Sequence, residues 1–354
     1  MFPFLELPYL AQVNILSSMK PSKVYFLTLF YPQFRQVSRV IKWAEIAPKA
    51  CFSAIDFSLS LNERYGYEDY SHGQVIFLRK LDAVEPLKVY TINGEKLNIL
   101  ADLHDEYIQV PVIKYDETDY HKIRDLIIDH FNSIFRYSSS FKCTVEPGFL
   151  NQIPEDMSIT QLTIFCEDDN KDPVTKKKEL DNFFDTHSPP EMIAIVSRLR
   201  GDLSKNKKLM SVKNICVYDV TGLNKKIISK FTGQDLLSNG AKFTTQDVVG
   251  FIRSWVKGGY ENLNTMWCFH NATNFDLAQV LNKFEWKEWD ENRRAGRYTK
   301  NVKYHEFYGL PLDVYDCTDA LDIERETDGL LASFKIFQNF FLFNIWRDRF
   351  PKDS

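Results

Sequence analysis

Residues 244–271 read TTQDVVGFIRSWVKGGYENLNTMWCFHN and contain one complete helix-to-strand transition. Thr244 and Asp247 have the spacing of a capping box, and the apolar side chains that follow recur with the helical period. Gly258-Gly259 ends the predicted helix, because glycine readily adopts the backbone conformation found just past a helix C-terminus. The apolar residues from Leu263 onwards alternate as in a strand. The segment therefore predicts an α/β domain in which helices follow strands.

The strand pattern of this segment also occurs twice upstream. Copies of the form L-x-x-L-x-L begin at Ile159, Val212 and Leu263, so they are 53 and 51 residues apart. Each interval holds about two leucine-rich units of about 20–29 residues, and Leu236-Leu237 supplies a strand inside the second interval. We predict a degenerate leucine-rich-repeat-like α/β domain over residues 116–350. A generic α/β sandwich is the alternative, because it gives similar alternation.

The residues on either side of these repeats favour strands. Residues 50–115 are predicted to be β-rich, and Asn93-Gly94 is a strong hairpin signal, because both turn positions favour positive φ. A helical period begins near residue 118. In the tail, Asp328-Gly329 joins two predicted strands and residues 340–346 form a third. We therefore expect a C-terminal β-hairpin cap.

The first 46 residues carry more apolar side chains than three short helices are expected to bury among themselves. Pro21 and Pro32 mark the starts of the second and third helices, since proline is favoured at a first helical position. Surplus apolar surface on a small helical module is usually covered by a partner. We therefore expect a docking element. The alternative is that these side chains pack on the rest of the same chain.

Two groups of residues carry a resemblance to known families. Leu7-Pro8, Ile15-Leu16, Lys20-Pro21 and the apolar run 24–29 match an F-box over residues 1–46. The remaining group lies in residues 50–350 and consists of 251–259 with Leu263, Leu321-Asp322-Ile323-Glu324-Arg325 and 328–333. Together they make the chain similar to nematode F-box proteins with a type 2 F-box-associated domain. The resemblance implies a three-helix F-box followed by a substrate-binding domain.

The resemblance further implies that the chain is the substrate-recognition subunit of an SCF-type (cullin–RING) E3 ubiquitin ligase. The F-box would bind a Skp-type adaptor, and the C-terminal domain would hold a target protein. The residues implied at the adaptor contact are Leu7, Pro8, Ile15, Leu16, Pro21, Val24 and Leu27. Partner chains would supply the catalysis, at the high effective concentration that tethering creates. The alternative is a scaffold without ligase activity that sequesters a protein.

A basic and aromatic stretch is the candidate target-binding surface. It contains Trp286, Trp289, Arg293, Arg294 and Arg297. Tryptophan and arginine dominate the residues that contribute most to protein interfaces. The same residue types could stack on single-stranded nucleic acid. The alternative is a solvated loop whose tryptophans turn into the core.

Charge and cysteine content narrow the function classes. The 354 residues carry a formal net charge of -4, so no domain-wide basic excess favours a nucleic-acid binder. The six cysteines are scattered without a C-x-x-C pair, and no H-E-x-x-H occurs, so we expect no metal site. Neither a nucleophile-elbow motif nor a phosphate-loop motif is present. We expect a protein that is not an enzyme and binds no cofactor.

The N-terminus and the apolar runs of the sequence bear on location. The first ten residues hold no basic segment, so we expect no signal peptide. The longest apolar run is far shorter than the roughly 20 residues of a spanning helix. We expect a protein of the cytoplasm or nucleus, without a membrane partner.

Overall fold

The computed structural model describes residues 4–41, 48–52, 56–61, 74–80, 87–102, 112–135, 140–165, 174–217, 226–240, 243–269, 275–299, 314–337 and 339–351. It divides the chain into two compact units, Met1–Thr160 and Gln161–Ser354. Each unit combines β-strands with helices, so the predicted mixed α/β class is confirmed. The division falls after residue 160, whereas the sequence suggested a boundary between residues 46 and 50.

The N-terminal unit begins with short helices, and Pro21 and Pro32 begin the second α-helix and the 3-10 turn that precedes the third. A 3-10 turn at Phe4–Glu6 precedes α1 (Tyr9–Ser17), and proline is the first residue of α2 (Pro21–Phe30). A second 3-10 turn (Pro32–Phe34) leads into α3 (Arg35–Ser38). Proline suits these positions because its φ is already helical and the N–H that it lacks would have no partner there. The three predicted helices are present, and the third is about one turn long.

A seven-stranded sheet follows these helices in the N-terminal unit. Its strands are β1 (Pro48–Phe52), β2 (Asp56–Leu61), β3 (Gln74–Lys80), β4 (Lys88–Ile92), β5 (Glu95–Asp102), β6 (Val112–Tyr115) and β7 (Ser140–Val145). Their order is β7-β1-β2-β3-β6-β5-β4, which leaves β4 at one edge. The β1–β7 and β3–β6 pairs are parallel and the others antiparallel. The predicted β-rich character of residues 50–115 is confirmed for the described part.

A tight turn and one long helix complete the N-terminal unit. Asn93 and Gly94 join β4 to β5 with φ values of 52° and 88°, so the predicted hairpin is confirmed. The helix α4 (Tyr120–Phe135) begins after a 3-10 turn at Glu117–Asp119. The sequence predicts an apolar stripe on this helix at Tyr120, Ile123, Ile127, Phe131, Ile134 and Phe135; Tyr120 is half-buried and the other five are buried.

Parallel strands dominate the C-terminal unit. They are β8 (Ser158–Phe165), β10 (Met192–Val196), β12 (Asn214–Val217), β13 (Asp235–Asn239) and β14 (Thr265–Phe269). Each pairs with the next in that order. The three L-x-x-L-x-L copies and Leu236-Leu237 all contribute to these strands, as predicted. The strand β10 was not predicted, and the leucine-rich-repeat assignment itself stays a prediction.

Antiparallel strands extend this sheet at the C-terminus. They are β17 (Leu321–Glu324), β18 (Leu331–Phe337) and β19 (Phe340–Trp346), and β19 pairs with β14. Gly329, with a φ of 68°, lies in the turn from β17 to β18, so the predicted cap is confirmed. Two small ladders add β9 (Val174–Lys176) with β11 (Arg198–Arg200), and β15 (Arg297–Thr299) with β16 (Val314–Asp316).

Helices connect the parallel strands of the C-terminal unit. They are α5 (Lys177–Thr186), α6 (Lys207–Met210), α7 (Lys226–Lys230) and α8 (Thr245–Val256), and a further helix, α9 (Leu277–Leu281), follows β14. The predicted capping box of α8 is present in full. The ring centroids of Phe251 and Trp255 on α8 lie 5.0 and 5.1 Å from that of Phe343 on β19. These aromatic contacts fix α8 against the sheet.

Candidate functional site

Residues 4–41, which we call the helical module, have a small core of their own. Leu16, Val24 and Val37 are buried in it, one from each helix. The rings of Phe4 and Phe34 lie 5.0 Å apart, centroid to centroid. This contact brings the segment before α1 close to the corner between α2 and α3.

The other side of α2 is covered by the same chain. The Tyr25 hydroxyl donates a 2.7 Å hydrogen bond to the carbonyl oxygen of Ile127 on α4, and Thr28 Oγ1 lies 3.0 Å from His130 Nε2. Tyr25, Thr28 and Leu29 are fully buried. For α2, the structure therefore shows the alternative, in which the apolar side chains pack on the rest of the same chain.

Burial also sets the protonation states at this contact. Desolvation, followed by the nearby charges of Arg35 and Arg39, lowers the pKa of His130 to about 3. Burial likewise raises the pKa of the Tyr25 phenol well above its usual value. Both groups are neutral near pH 7, so α2 and α4 are joined by uncharged hydrogen bonds and aromatic rings. Such a contact does not separate under small changes of pH.

The seven residues predicted at the adaptor contact have different environments. Leu16 and Val24 are buried in the core of the helical module and have no surface to offer an adaptor, which corrects their assignment. Four others are half-buried, namely Leu7, Ile15, Pro21 and Leu27. Pro8 is exposed at the start of α1.

Four large apolar side chains of the helical module are exposed, and the sequence analysis singled out none of them as an adaptor contact. They are Tyr9, Leu10, Tyr31 and Val40, which we call the exposed apolar set. Leu10 exposes 69% of its surface, more than any other large apolar side chain in the described residues. Tyr31 contacts Phe34 edge-on at 6.3 Å, next to the corner that Phe4 also contacts. Apolar side chains so placed are what a partner protein buries.

Arg294, predicted at the target surface, lies inside the C-terminal unit. It is 0% exposed, and its Nε donates a 2.8 Å hydrogen bond to Asp322 Oδ1. Its other nitrogens donate to the carbonyl oxygens of Ala295 and Cys317, both at 2.9 Å. The guanidinium carbon lies 4.9 Å from the ring centroid of Trp346. Arg294 therefore holds the fold together and cannot contact a target.

The other four predicted target residues differ in their exposure and in their contacts. Trp289 is half-buried, and its Nε1 donates to the carbonyl oxygen of Arg294 at 3.3 Å. Arg293 is paired with Glu324 at 2.7 Å. Trp286 is 38% exposed, and Arg297 is exposed on β15. Because Arg294 is buried, the five residues cannot all belong to one recognition surface.

An open groove in the C-terminal unit is the site that the sequence analysis missed. Its volume is about 710 Å³, and it lies between α7, α8 and the turn after α8. Phe231 and Phe251 are buried beneath it. The exposed residues that line it are small, polar or charged, namely Lys226, Ser229, Thr232, Gln246, Gly250, Ser254, Glu261 and Asn262. We call it the α7–α8 groove.

Backbone geometry at one end of the groove is unusual. Tyr260 has a φ of 57°, a conformation that a bulky side chain rarely adopts. Its ring contacts Phe251 edge-on at 4.9 Å, and burial raises the pKa of its hydroxyl to about 12. Strained residues of this kind cluster at ligand-contacting sites, although they also occur in turns.

Gly250 is the second unusual feature of the groove. It lies inside α8, where glycine is less favourable than alanine by about 1 kcal/mol. A Cβ atom at this position would have no neighbour within 4 Å, so packing within the unit does not require glycine. A glycine here leaves room for the backbone of a bound molecule to approach the helix.

The side chains that line the groove can form hydrogen bonds to a bound molecule. Hydroxyl and amide side chains both donate and accept hydrogen bonds, as a polypeptide backbone does. Burial raises the pKa values of the Cys143 and Cys268 thiols, so both are protonated at neutral pH. Within the described ranges, no three His, Cys, Asp or Glu side chains are grouped as a metal site requires. No described helix is both long enough and apolar enough to cross a membrane.

Comparisons with known proteins place the chain in no family. No protein-family model, no curated protein and no solved structure matches it.

Proposed function

We propose that this chain is a substrate-recognition subunit of an SCF-type ubiquitin ligase, in which the helical module binds a Skp-type adaptor. The observation that supports adaptor binding best is the exposed apolar set, with Leu10 the most exposed of its members. A partner that covers Tyr9, Leu10, Tyr31 and Val40 would remove apolar surface from water. The adaptor contact is thereby moved from the buried residues of α2 to the outside of the helical module.

The test is binding of the full chain to a purified Skp-type adaptor. We expect Leu10→Asp and Val40→Asp each to raise the dissociation constant by about tenfold or more, because each places a charge where an apolar side chain would contact the adaptor. Val314→Asp is the matched control, because Val314 is an exposed valine (41%) on β16 of the C-terminal unit, outside the helical module. The adaptor proposal fails if wild-type chain does not bind, or if all three variants bind equally well.

The α7–α8 groove is the surface that we assign to the target protein. Its exposed hydroxyl and amide groups suit a polypeptide, and Gly250 leaves space for a main chain. Gly250→Trp should fill the groove without disturbing the core, because a Cβ at this position meets no neighbour. Arg253→Trp, on an exposed position of α8 that does not line the groove, is the control.

The readout is degradation in cells that lack this chain. A protein that accumulates in those cells should disappear again when the wild-type chain or Arg253→Trp is restored, and should persist with Gly250→Trp. Equal rescue by both variants would remove the groove from the proposal while leaving adaptor binding intact.

One observation favours a second candidate, a protein-sequestering scaffold without ligase activity. The contacts of Tyr25 and Thr28 with α4 make the helical module an integral part of the N-terminal unit. Such a module would be required for folding even if it bound no adaptor. The scaffold is favoured if a target protein copurifies with this chain in the absence of the adaptor, and if the amount of that target does not rise when the proteasome is inhibited.

A further inference from the structure

The free edge of β4 is the strongest unassigned feature of the N-terminal unit. Only β5 pairs with β4 among the described residues, and β4 ends the order of the sheet. The Asn93-Gly94 turn brings Ile92 opposite Glu95, and the first and last residues of such a turn share a hydrogen bond. Because hydrogen-bonded and open pairs alternate along an antiparallel ladder, Val89 and Thr91 must direct their N–H and C=O groups away from β5.

These outward groups have no partner in the described part of the chain. A row of alternating donors and acceptors is complemented best by another extended backbone. Native proteins usually protect such an edge with several charges, a proline or a bulge. Here β4 carries one charged residue, Lys88, and its Val89 side chain is 66% exposed.

The side chains beside the edge define what the added strand must carry. On the face that contacts α2, the ring of Tyr90 meets that of Phe30 at 4.9 Å, and both residues are half-buried. An apolar side chain opposite Tyr90 would cover this pair. On the other face, an apolar side chain opposite Val89 would cover the valine. Apolar residues are therefore expected on both faces of the added strand.

The lysines near β4 indicate which other positions of the added strand should be acidic. Lys88 lies at the start of β4, and Lys96 lies opposite Thr91 on β5; both are exposed. The nearby Glu95 is already paired with Lys122 at 2.8 Å. An acidic side chain beside Lys88, and a second one beside Thr91 within reach of Lys96, would complement these two cations.

We propose that β4 accepts an extended segment of a partner protein, which adds to the sheet as an antiparallel strand with apolar residues opposite Val89 and Tyr90 and acidic residues opposite Lys88 and Thr91. Main-chain hydrogen bonds at Val89 and Thr91 would supply affinity, and the alternate side chains would supply specificity. This inference uses no residue of the exposed apolar set or of the α7–α8 groove, so it does not depend on the proposed function.

The experiment uses the full chain and a fluorescent peptide, Thr-Glu-Ile-Val-Glu-Thr, blocked at both ends. In the antiparallel direction, its isoleucine falls opposite Tyr90 and its valine opposite Val89. We expect saturable binding by fluorescence anisotropy, and weaker binding of a peptide with lysine in place of both glutamates. Lys88→Glu should reduce the difference in affinity between the glutamate peptide and the lysine peptide.

Val89→Pro is the decisive variant. Proline removes one outward N–H but no β4–β5 hydrogen bond, a substitution that edge strands tolerate. We expect about tenfold weaker peptide binding, because one main-chain hydrogen bond is lost and its acceptor is left unpaired. Val89→Thr keeps the N–H and is the control for the side chain, and circular dichroism checks that both variants fold.

Three results would overturn the inference. The first is absence of peptide binding by the wild-type chain. The second is equal binding by Val89→Pro and Val89→Thr. The third is a wild-type dimer in light scattering that Val89→Pro converts to monomer, because the edge would then bind a second copy of the chain.

Discussion

Replacing Arg294 by methionine should destabilise the C-terminal unit strongly. The substitution keeps an unbranched side chain over Trp346 but removes the charge paired with Asp322, which is 1% exposed. It also leaves the carbonyl oxygens of Ala295 and Cys317 without their present donor. Removing one partner of a buried ion pair costs about 3–5 kcal/mol, mainly because the remaining charge stays buried and unpaired.

The neighbouring Arg293 provides the control. Its ion pair with Glu324 is partly exposed to solvent, with 20% and 44% of the two side chains accessible. Ion pairs in such surroundings contribute about 0–1 kcal/mol. Arg293→Met should therefore lower the free energy of unfolding by less than about 1 kcal/mol, although the residue type and the position in the chain are nearly the same.

The loss of unfolding free energy in Arg294→Met should also depend on pH. Burial already raises the pKa of Asp322 above 3.8, even though Arg294 opposes this rise. Without Arg294 the pKa rises further. A folded-state pKa above the unfolded value stabilises the protein at low pH, and that contribution is lost as the pH rises through the folded value. The deficit of Arg294→Met should therefore be largest near pH 7 and smaller in acid.

Urea denaturation of wild type and both variants, at pH 7 and pH 5, measures these differences. A loss below about 1 kcal/mol for Arg294→Met at pH 7 would refute the buried-pair argument. So would a deficit that grows on acidification. The double variant Arg294→Met with Asp322→Asn should recover part of the stability, since the unpaired charge is gone.

Three further predictions concern single residues. Gly250→Ala should raise the free energy of unfolding by about 1 kcal/mol in urea, because alanine favours the helix and its Cβ meets no neighbour. Tyr25→Phe should lower it by about 1–2 kcal/mol, because the Ile127 carbonyl oxygen loses a buried donor; an unchanged value would place that contact in doubt. Hydrogen bonds from Arg325 and Leu330 lower the pKa of Asp328 from 3.8 to about 2, so its contribution is present above pH 3.8 and lost as the pH falls towards 2. The melting temperature of Asp328→Ala should therefore depend less on pH in this acid range than the melting temperature of the wild type.

Local signals in the sequence predicted much of the secondary structure. The capping box at Thr244 and Asp247 involves residues three apart, and the Asn93-Gly94 turn involves two neighbours. The strand β10 was missed because Met192–Val196 is a short apolar run, buried at nearly every position, without the alternation that marks a half-exposed strand.

Contacts between distant residues explain the errors at the candidate sites. The composition around Arg294 suggested an exposed surface, yet its partner Asp322 lies 28 residues away and both are buried. The sequence predicted surplus apolar surface on the first 46 residues, but it did not show that α4, which follows α2 by many residues, covers the α2 part of that surface. The α7–α8 groove was not predicted for the same reason, because the segments that form it are separate in sequence.

The separation between α2 and α4 has a consequence during protein synthesis. Tyr25 leaves the ribosome 102 residues before Ile127, to which it is hydrogen-bonded in the folded chain. At about 5–20 residues per second, the apolar side of α2 would wait roughly 5–20 seconds for its cover. During that interval the nascent chain should bind chaperones that recognise apolar segments, and shortening the wait with faster codons between α2 and α4 should raise the yield of folded protein.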